Sequence, residues 1–208
     1  LAFLGPLYAV VTVVQDIFGL LVIGSVIYSL YRRFVEKVPR LEVGSHGKWD
    51  AAFILSLIML VVLSMYGQNI THVAKGGFVF AEYELRPISS FLAYKLYDPF
   101  SGSAFISYEI FWWIHILVIL GFVNYLPYSK HLHVLTSIPN VYFSKFENER
   151  GALKPIDLED ESLEYYGVDD FEKFSWKQIL DGYSCTECGR CTSVCPAANA
   201  GKTLSPRK

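Results

Sequence analysis

Three long apolar stretches constrain the fold of this chain more than any other feature. They run over about 5–31, 51–71 and 110–129. Each is long enough to cross a bilayer as a helix, which takes about 20 mostly apolar residues. Hydrophobic residues make up 52% of the chain and charged residues 18%, a composition too apolar for an ordinary soluble domain of this size. The pattern predicts an all-α fold built on a transmembrane helical bundle.

The distribution of basic residues predicts how this bundle is oriented. Five basic side chains fall between the first two stretches: Arg32, Arg33, Lys37, Arg40 and Lys48. The excess of Lys and Arg in cytoplasmic loops places this loop inside. The third stretch then returns to the cytoplasm, and residues 72–105 form an outer loop. Within that loop, "ISSFLAYKLYDPF" is predicted to be an interfacial helix.

The composition changes along the chain and predicts three regions. Residues 1–146 form the membrane domain, 147–174 an acidic cytoplasmic linker, and 175–208 the start of a metal-cluster domain. The chain begins with Leu1 rather than Met and ends after a half-complete motif, so we expect a piece of a longer protein. The formal net charge of −2 gives no general attraction to nucleic acid.

All four cysteines lie in one short run that ends in proline: Cys185, Cys188, Cys191 and Cys195, followed by Pro196. The pattern C-x2-C-x2-C-x3-C-P is the bacterial ferredoxin run for a [4Fe–4S] cluster. In two-cluster domains the fourth cysteine ligates the other cluster, whose remaining ligands would lie beyond residue 208. A disulfide is disfavoured in the reducing cytoplasm, and a zinc site usually divides its ligands into two separated pairs.

Two histidines suit haem ligation. His115 lies in the third apolar stretch, where an ionisable residue is costly, and His133 follows eighteen residues later. On a continuous helix this spacing is about five turns, so both side chains would share one face about 27 Å apart. That arrangement would hold two haems, one toward each side of the bilayer. The alternative is a histidine that bonds a backbone carbonyl or lines a polar cavity, and Pro127 disturbs the helical count.

Other polar residues are weaker candidates. His72 on the outer side and His46 on the inner side are secondary haem ligands, while His131 points about 160° away from His115 on the same count. Asp16 lies within the first stretch beside Gln15. It is predicted either to contact quinone or a proton path, or to be a polar group satisfied between helices, and the second interpretation is preferred.

Four segments carry a family resemblance: 126–146, 151–160, 175–197 and 201–208. They resemble the membrane-bound cytochrome b/iron–sulfur oxidoreductases related to heterodisulfide reductase, which include the electron-transfer-flavoprotein:menaquinone oxidoreductases. The third stretch is similar to the di-haem subunit of respiratory nitrate reductase, where two haem-ligating histidines on one helix share the spacing of His115 and His133.

The resemblance implies a nitrate reductase gamma-like bundle followed by the start of a ferredoxin-like, α-helical [4Fe–4S] domain. It also implies two [4Fe–4S] clusters, haem b that exchanges electrons with menaquinone, and a soluble partner such as an electron-transfer flavoprotein. The expected location is the cytoplasmic membrane. The group's second cysteine motif, its CCG-type domains and its upstream helices are not in this sequence.

Two other functions remain open at this point. In one, the helices only anchor a cytoplasmic iron–sulfur protein and no haem is bound. In the other, the cluster is a redox sensor that signals to a partner. The direction of electron flow is also open.

Overall fold

A computed structural model describes residues 5–41, 45–76, 85–97, 102–144, 159, 168, 170–203 and 206. Within these ranges all regular secondary structure is helical and no strand occurs, which confirms the predicted all-α class. Most of the predicted acidic linker, parts of the outer loop and the side chain of His46 lie outside the described residues.

Eight α-helices follow one another along the described chain. They are α1 (Pro6–Phe34), α2 (Ser45–Lys75), α3 (Pro87–Leu96), α4 (Gly102–Tyr125), α5 (His133–Tyr142), α6 (Trp176–Tyr183), α7 (Arg190–Ser193) and α8 (Pro196–Asn199). The chain divides into two compact units. The first unit comprises 1–126 and 189–208, and the second comprises 127–188.

Within the described ranges, three helices have the length and apolar composition needed to cross a membrane: Pro6–Phe34, Gly47–Lys75 and Gly102–Tyr128. They coincide with the three predicted stretches; the first ends later than predicted, the second is longer at both ends, and the third begins earlier. Pro6 occupies the first turn of α1, where a missing N–H costs nothing. The predicted interfacial helix is also present as α3.

The first unit is organised around α2, which packs against α1, α3 and α4. Its C-terminal half supplies Tyr66, Ile70, Val73 and Ala74 to the buried apolar core. Two small residues complete that core, Ala93 from α3 and Ala104 from α4. Small residues let helices approach closely, and close packing is what holds membrane helices together.

Glycine allows the closest of these approaches. A Cβ atom added at Gly67 of α2 would lie 2.4 Å from the Phe111 ring of α4, well inside any real contact. At the other end of the same helix pair, the Tyr125 hydroxyl donates a 2.5 Å hydrogen bond to the Asp50 carboxylate. The two contacts fix α4 along the length of α2.

Most of the α4 surface faces away from the rest of its unit. Ala104 is its one buried residue, and large apolar side chains such as Ile106, Trp113 and Leu117 are more than half exposed. In a membrane this surface is available to lipid or to further helices.

Candidate functional site

The first unit contains Cys191 and Cys195. Cys191 lies in α7, which begins after Gly189 in the left-handed conformation, φ 73°. Cys195 directly precedes α8, and Pro196 starts that helix. A residue before proline is restricted to extended backbone, and Cys195 has φ −68° and ψ 121°. The proline therefore turns the chain immediately after the fourth cysteine, as the motif predicts.

α7 contacts the 3-10 turn Pro39–Leu41 of the same unit. This turn belongs to the basic loop between the first two membrane-length helices. The loop's cations interact with neighbouring side chains: Arg32 pairs with Glu36 at 3.5 Å, and the Lys48 ammonium lies 4.9 Å from the centre of the Phe34 ring. Cys191 is thus at the end of the bundle that the basic residues occupy.

The second unit contains Cys185 and Cys188 on the loop that follows α6. Ser175 and Gln178 form a reciprocal capping box that starts α6, satisfying N–H groups that the first helical turn leaves without partners. The apolar residues Trp176, Ile179, Leu180 and Tyr183 fall on one side of a helix and predict a short amphipathic helix here, and the structure has a helix over Trp176–Tyr183. Tyr183 is its last residue, two positions before Cys185.

α5 and α6 pack side by side as an antiparallel pair. At one end, Phe143 and Trp176 stack edge to face with centroids 5.2 Å apart. At the other end, the Thr136 hydroxyl donates a 3.1 Å hydrogen bond to the Tyr183 carbonyl. Between these ends Lys177 donates to the side chain of Asn140. This pairing returns the chain to the start of α5 as it enters the cysteine loop.

Two contacts shape the cysteine loop. Glu187 adopts φ 52°, a left-handed conformation that is uncommon outside glycine and bends the loop sharply. Its backbone N–H donates a 3.4 Å hydrogen bond to the Cys185 Sγ. Its carboxylate forms an ion pair with Lys130, just before α5. The side chains of Lys130 and Glu187 are 22% and 41% exposed, so this pair is partly shielded from water.

The chemistry of these residues fits a [4Fe–4S] cluster. No disulfide joins the four cysteines; three are exposed and Cys195 is partly exposed. Amide donation to a cysteine sulfur, as at Cys185, stabilises thiolate and tunes cluster potential. Among the described residues, no three His, Cys, Asp or Glu side chains are already gathered tightly enough to hold one metal ion.

His115 is half-buried on α4 and is held by α2. Its Nδ1 lies 2.9 Å from the hydroxyl oxygen of Ser64, which also donates to the Val61 carbonyl at 2.9 Å. While the hydroxyl donates to Val61, its oxygen can accept from Nδ1–H, which defines the tautomer that is protonated at Nδ1. In the described part of the chain no hydrogen bond engages Nε2 of His115. In that tautomer Nε2 carries a lone pair that can ligate a metal.

His133 has the same arrangement with a different acceptor. Its Nδ1 lies 2.7 Å from the Lys130 carbonyl oxygen, and a carbonyl can only accept. Nδ1 therefore carries a proton, and in the tautomer protonated at Nδ1 alone Nε2 has the lone pair. No described residue forms a hydrogen bond with that nitrogen. Ligating histidines in metalloproteins are commonly oriented in this way, by a hydrogen bond at the nitrogen away from the metal.

The continuous helix assumed for the five-turn count is not found. α4 ends at Tyr125, and 3-10 turns at Leu126–Tyr128 and Lys130–Leu132 precede α5. Pro127 removes a helical N–H and disrupts the preceding turn, as its position predicts. The shared-face argument for His115 and His133 therefore no longer applies, and the two rings stand as candidates on their own contacts.

Different surroundings are described for the weaker histidine candidates. The His72 ring packs 5.9 Å from the Tyr108 ring, and the side chain of His46 lies outside the described residues. Burial and the neighbouring His133 lower the pKa of His131, so it is predominantly neutral at pH 7. Its ring stands perpendicular to that of His133, with centroids 5.7 Å apart.

Asp16 is fully buried and caps another helix. Its carboxylate accepts hydrogen bonds from the Ile88 N–H at 2.6 Å, the Ser89 N–H at 3.2 Å and the Ser89 hydroxyl at 2.5 Å. These N–H groups belong to the first turn of α3, whose own N-cap residue, Arg86, supplies no side-chain cap. An acidic group there also complements the helix dipole. The contacts support the structural interpretation of Asp16.

Sequence reasoning missed Ser64, Lys130 and the partner of Asp16. A lone serine in an apolar helix has no sequence signature, since most such serines bond the preceding turn, as Ser56 does with Ala52. Only the tertiary position of His115 distinguishes Ser64. A single lysine after an apolar stretch, such as Lys130, likewise has no sequence signature that would pair it with Glu187.

Comparison with known proteins points to iron–sulfur redox proteins. Over 98% of its length the chain is 39% identical to the probable iron-sulfur-binding oxidoreductase FadF of Bacillus subtilis. It is 28% identical over 98% of its length to the EtfAB:quinone oxidoreductase of Syntrophomonas wolfei. A 71-residue segment is 39% identical to a probable membrane-anchored ferredoxin of Chromohalobacter salexigens. No family model and no solved structure matches the chain.

The chain corresponds to a limited part of these relatives. It spans 28% of the length of the Bacillus protein and 29% of the Syntrophomonas protein, and the ferredoxin match covers 10% of that protein. The similarity to the first two extends over nearly the whole chain, from the apolar helices through the cysteine run. It supports an iron–sulfur oxidoreductase whose chain includes apolar, membrane-length helices.

Proposed function

We propose that this chain is the membrane electron-transfer module of a quinone-linked oxidoreductase, passing electrons between cytoplasmic [4Fe–4S] clusters, haem b and membrane quinone. One observation carries the proposal. A single chain combines a ferredoxin-type cysteine run with two histidines, His115 and His133, whose Nδ1 is held and whose Nε2 is open. Three helices long enough to span a membrane precede the cysteines.

The cysteines have distinct roles in this proposal. Cys185, Cys188 and Cys191 ligate one cluster, and Cys195 contributes to a second cluster completed by a part of the protein beyond this chain. The exposure of the thiols suits a loop that further protein covers. The amide of Glu187 stabilises the Cys185 thiolate.

The histidines bind haem b through Nε2, with Ser64 and the Lys130 carbonyl fixing the two ring orientations. Further ligands come from helices outside this chain or, less favourably, from His72 and His46. When bound, clusters and haem would each carry single electrons, and two such electrons together with two protons convert a quinone to a quinol. The exposed surface of α4 is the side on which additional helices would complete such a site.

Quinone and an electron-transfer flavoprotein are proposed as partners of the whole protein. The name of the Syntrophomonas relative includes both, and the chain is similar to it over 98% of its length. The module would lie in the cytoplasmic membrane with the cysteines inside. The position of α7 beside the basic turn Pro39–Leu41 supports that orientation, because basic loops face the cytoplasm.

The cluster assignment is tested by anaerobic reconstitution of the full-length protein with iron and sulfide. We expect about four irons per cluster and a reduced-state EPR signal typical of [4Fe–4S]+. Cys188→Ser should lower both iron content and signal, whereas Ser184→Ala, a matched change outside the motif, should not. Equal iron in the parent and Cys188→Ser would contradict the assignment.

A second function is a membrane-anchored iron–sulfur protein without haem. The similarity of a 71-residue segment to a probable membrane-anchored ferredoxin favours it. It predicts the same iron content but no haem absorbance and no effect of replacing His115. Because both functions share the cluster, only haem content separates them.

A further inference from the structure

Lys130 contacts both of the candidate cofactor-binding elements of the second unit. Its backbone carbonyl accepts the hydrogen bond from His133 Nδ1 at 2.7 Å. Its ammonium forms the ion pair with Glu187, which lies between Cys185 and Cys188. The two contacts use different atoms of one residue, so the main chain orients a histidine while the side chain holds the cysteine loop.

The α5–α6 pair explains why these elements meet. Three contacts run along it in antiparallel order: Phe143 with Trp176, Asn140 with Lys177, and Thr136 with Tyr183. Lys130 with Glu187 continues this order by one further step. As the position on the α5 side falls from 143 to 130, the position of its partner rises from 176 to 187. The cysteine loop therefore lies beside the turn that precedes His133.

We propose that Lys130 is a positioning residue that holds the Cys185–Cys188 loop against the turn that precedes His133, fixing the approach of the first cluster to the inner haem. The part of this inference that concerns electron transfer to haem rests on the proposed function. The part that concerns the position of the cysteine loop rests only on the contacts of Lys130. Electron transfer falls steeply with distance, so a loop free to move by a few ångströms would transfer electrons more slowly.

The geometry at Glu187 makes the loop sensitive to this contact. Glu187 occupies a left-handed backbone conformation, φ 52°, which carries strain for a residue with a Cβ and persists when surrounding contacts enforce it. The same residue donates its N–H to the Cys185 sulfur. Loss of the ion pair would therefore relax both the backbone at Glu187 and the amide directed at Cys185.

An ordinary surface ion pair is the competing explanation. Such pairs contribute little to stability, so a melting temperature would not separate the two roles. A positioning role instead predicts a local change at the cysteine loop. Lys177 and Asp181, 2.5 Å apart and also in the second unit, provide a matched control, since Asp181 lies within α6 and away from the loop.

The test uses the full-length protein with four variants: Lys130→Gln, Glu187→Gln, the charge-reversed pair Lys130→Glu with Glu187→Lys, and Asp181→Asn as control. Lys130→Gln retains the backbone carbonyl that holds His133. Peptide-resolved hydrogen exchange of residues 184–189, without cofactors, measures how firmly the ion pair holds the cysteine loop. We expect roughly fivefold faster exchange in both charge-removal variants, recovery in the reversed pair, and no change in the control.

The second readout is the spin-relaxation enhancement of the reduced cluster by oxidised haem, measured by pulsed EPR in the loaded protein. We expect it to weaken in Lys130→Gln and to recover in the reversed pair. Unchanged loop exchange in both charge-removal variants would overturn the inference whether or not haem is bound. Faster exchange with unchanged relaxation enhancement would overturn the positioning of the cluster toward haem.

The two proposals fail in different ways. A parent protein without haem absorbance contradicts the proposed function, and the exchange experiment still decides whether Lys130 tethers the loop. A parent with haem and clusters but with no response to loss of the ion pair contradicts only the role of Lys130.

Discussion

Asp16 and His115 are both ionisable side chains on membrane-length helices, and their surroundings differ. The Asp16 carboxylate is fully buried and accepts three hydrogen bonds from the start of α3. His115 is half-buried, and Ser64 holds only one of its two nitrogens. A polar group with all its hydrogen bonds made stabilises the fold, and a ring oriented at one nitrogen leaves the other for a ligand. On this difference we base the proposal that His115 binds a ligand and that Asp16 is structural.

The largest loss of stability is expected at Asp16, whose carboxylate accepts three hydrogen bonds. Asp16→Ala removes the acceptor of two α3 N–H groups and of the Ser89 hydroxyl, and buried donors left without partners cost about 1–3 kcal/mol. We expect about 2–3 kcal/mol lower stability in detergent, measured by chemical unfolding. The neighbouring and exposed Gln15→Ala is the control and should cost less than about 1 kcal/mol. A stable Asp16→Ala variant that lost only quinone activity would reverse the interpretation.

The second-largest loss of stability is expected where α2 packs against α4, the helix that carries His115. Gly67→Ala places a methyl group 2.4 Å from the Phe111 ring, which must push α4 away from α2. Overpacking of this kind typically costs about 1–3 kcal/mol. Gly121→Ala on α4 meets nothing within 4 Å and is the matched control. Thermal unfolding of both variants checks the result, and equal melting temperatures would contradict the close α2–α4 packing.

The third prediction tests the His115 site through Ser64, the residue that orients the His115 ring. Ser64→Ala removes the acceptor of His115 Nδ1–H, and loss of such outer contacts lowers metal affinity about 10–100-fold. We expect about tenfold weaker haem retention, measured by absorbance after dialysis against a haem scavenger. Ser56→Ala is matched, because Ser56 makes the same type of bond to its own helix, 2.9 Å from the Ala52 carbonyl. Equal haem retention in the two variants would contradict a role of Ser64 in orienting His115.

The smallest effect lies in the second unit. The hydrogen bond from Lys177 lowers the pKa of Asp181 below its usual value of 3.8. A depressed folded-state pKa means that the pair stabilises above the unfolded pKa and is lost as pH falls through the folded pKa. We expect Asp181→Asn to cost about 0.2–0.5 kcal/mol at pH 7 and nothing near pH 2. Unfolding measured at both pH values checks the sign, and a cost that grows on acidification would contradict it.

Much of the fold could be predicted from the sequence, because long apolar runs have few alternatives in a bilayer. The three spans, the helix at α3 and the short helix α6 were all expected. The third span was predicted over 110–129, with Pro127 kinking or ending it, whereas α4 covers Gly102–Tyr125. The contacts from which we infer the roles of the polar residues could not be predicted from the sequence. Asp16 meets Ser89 across 73 positions and Ser64 meets His115 across 51, and local patterns do not encode such pairs.

The cysteine run and the two histidines also differ in what the sequence could establish. The prediction that the cysteines ligate a cluster rests on their spacing alone, since few sites use that pattern. The histidines were selected by a count along one continuous helix, and that helix ends at Tyr125. Their case now depends on the acceptor at each Nδ1, which required coordinates.

The most direct test is a dithionite-reduced minus oxidised spectrum of the purified full-length protein, with His115→Ala and His133→Ala beside it. The proposed function predicts a sharp b-type α-band in the parent and a smaller band in either variant, because each ring supplies one Nε2 to haem. Absence of that band, with only the broad bleaching of the iron–sulfur clusters, would contradict haem binding and leave a membrane-anchored iron–sulfur protein.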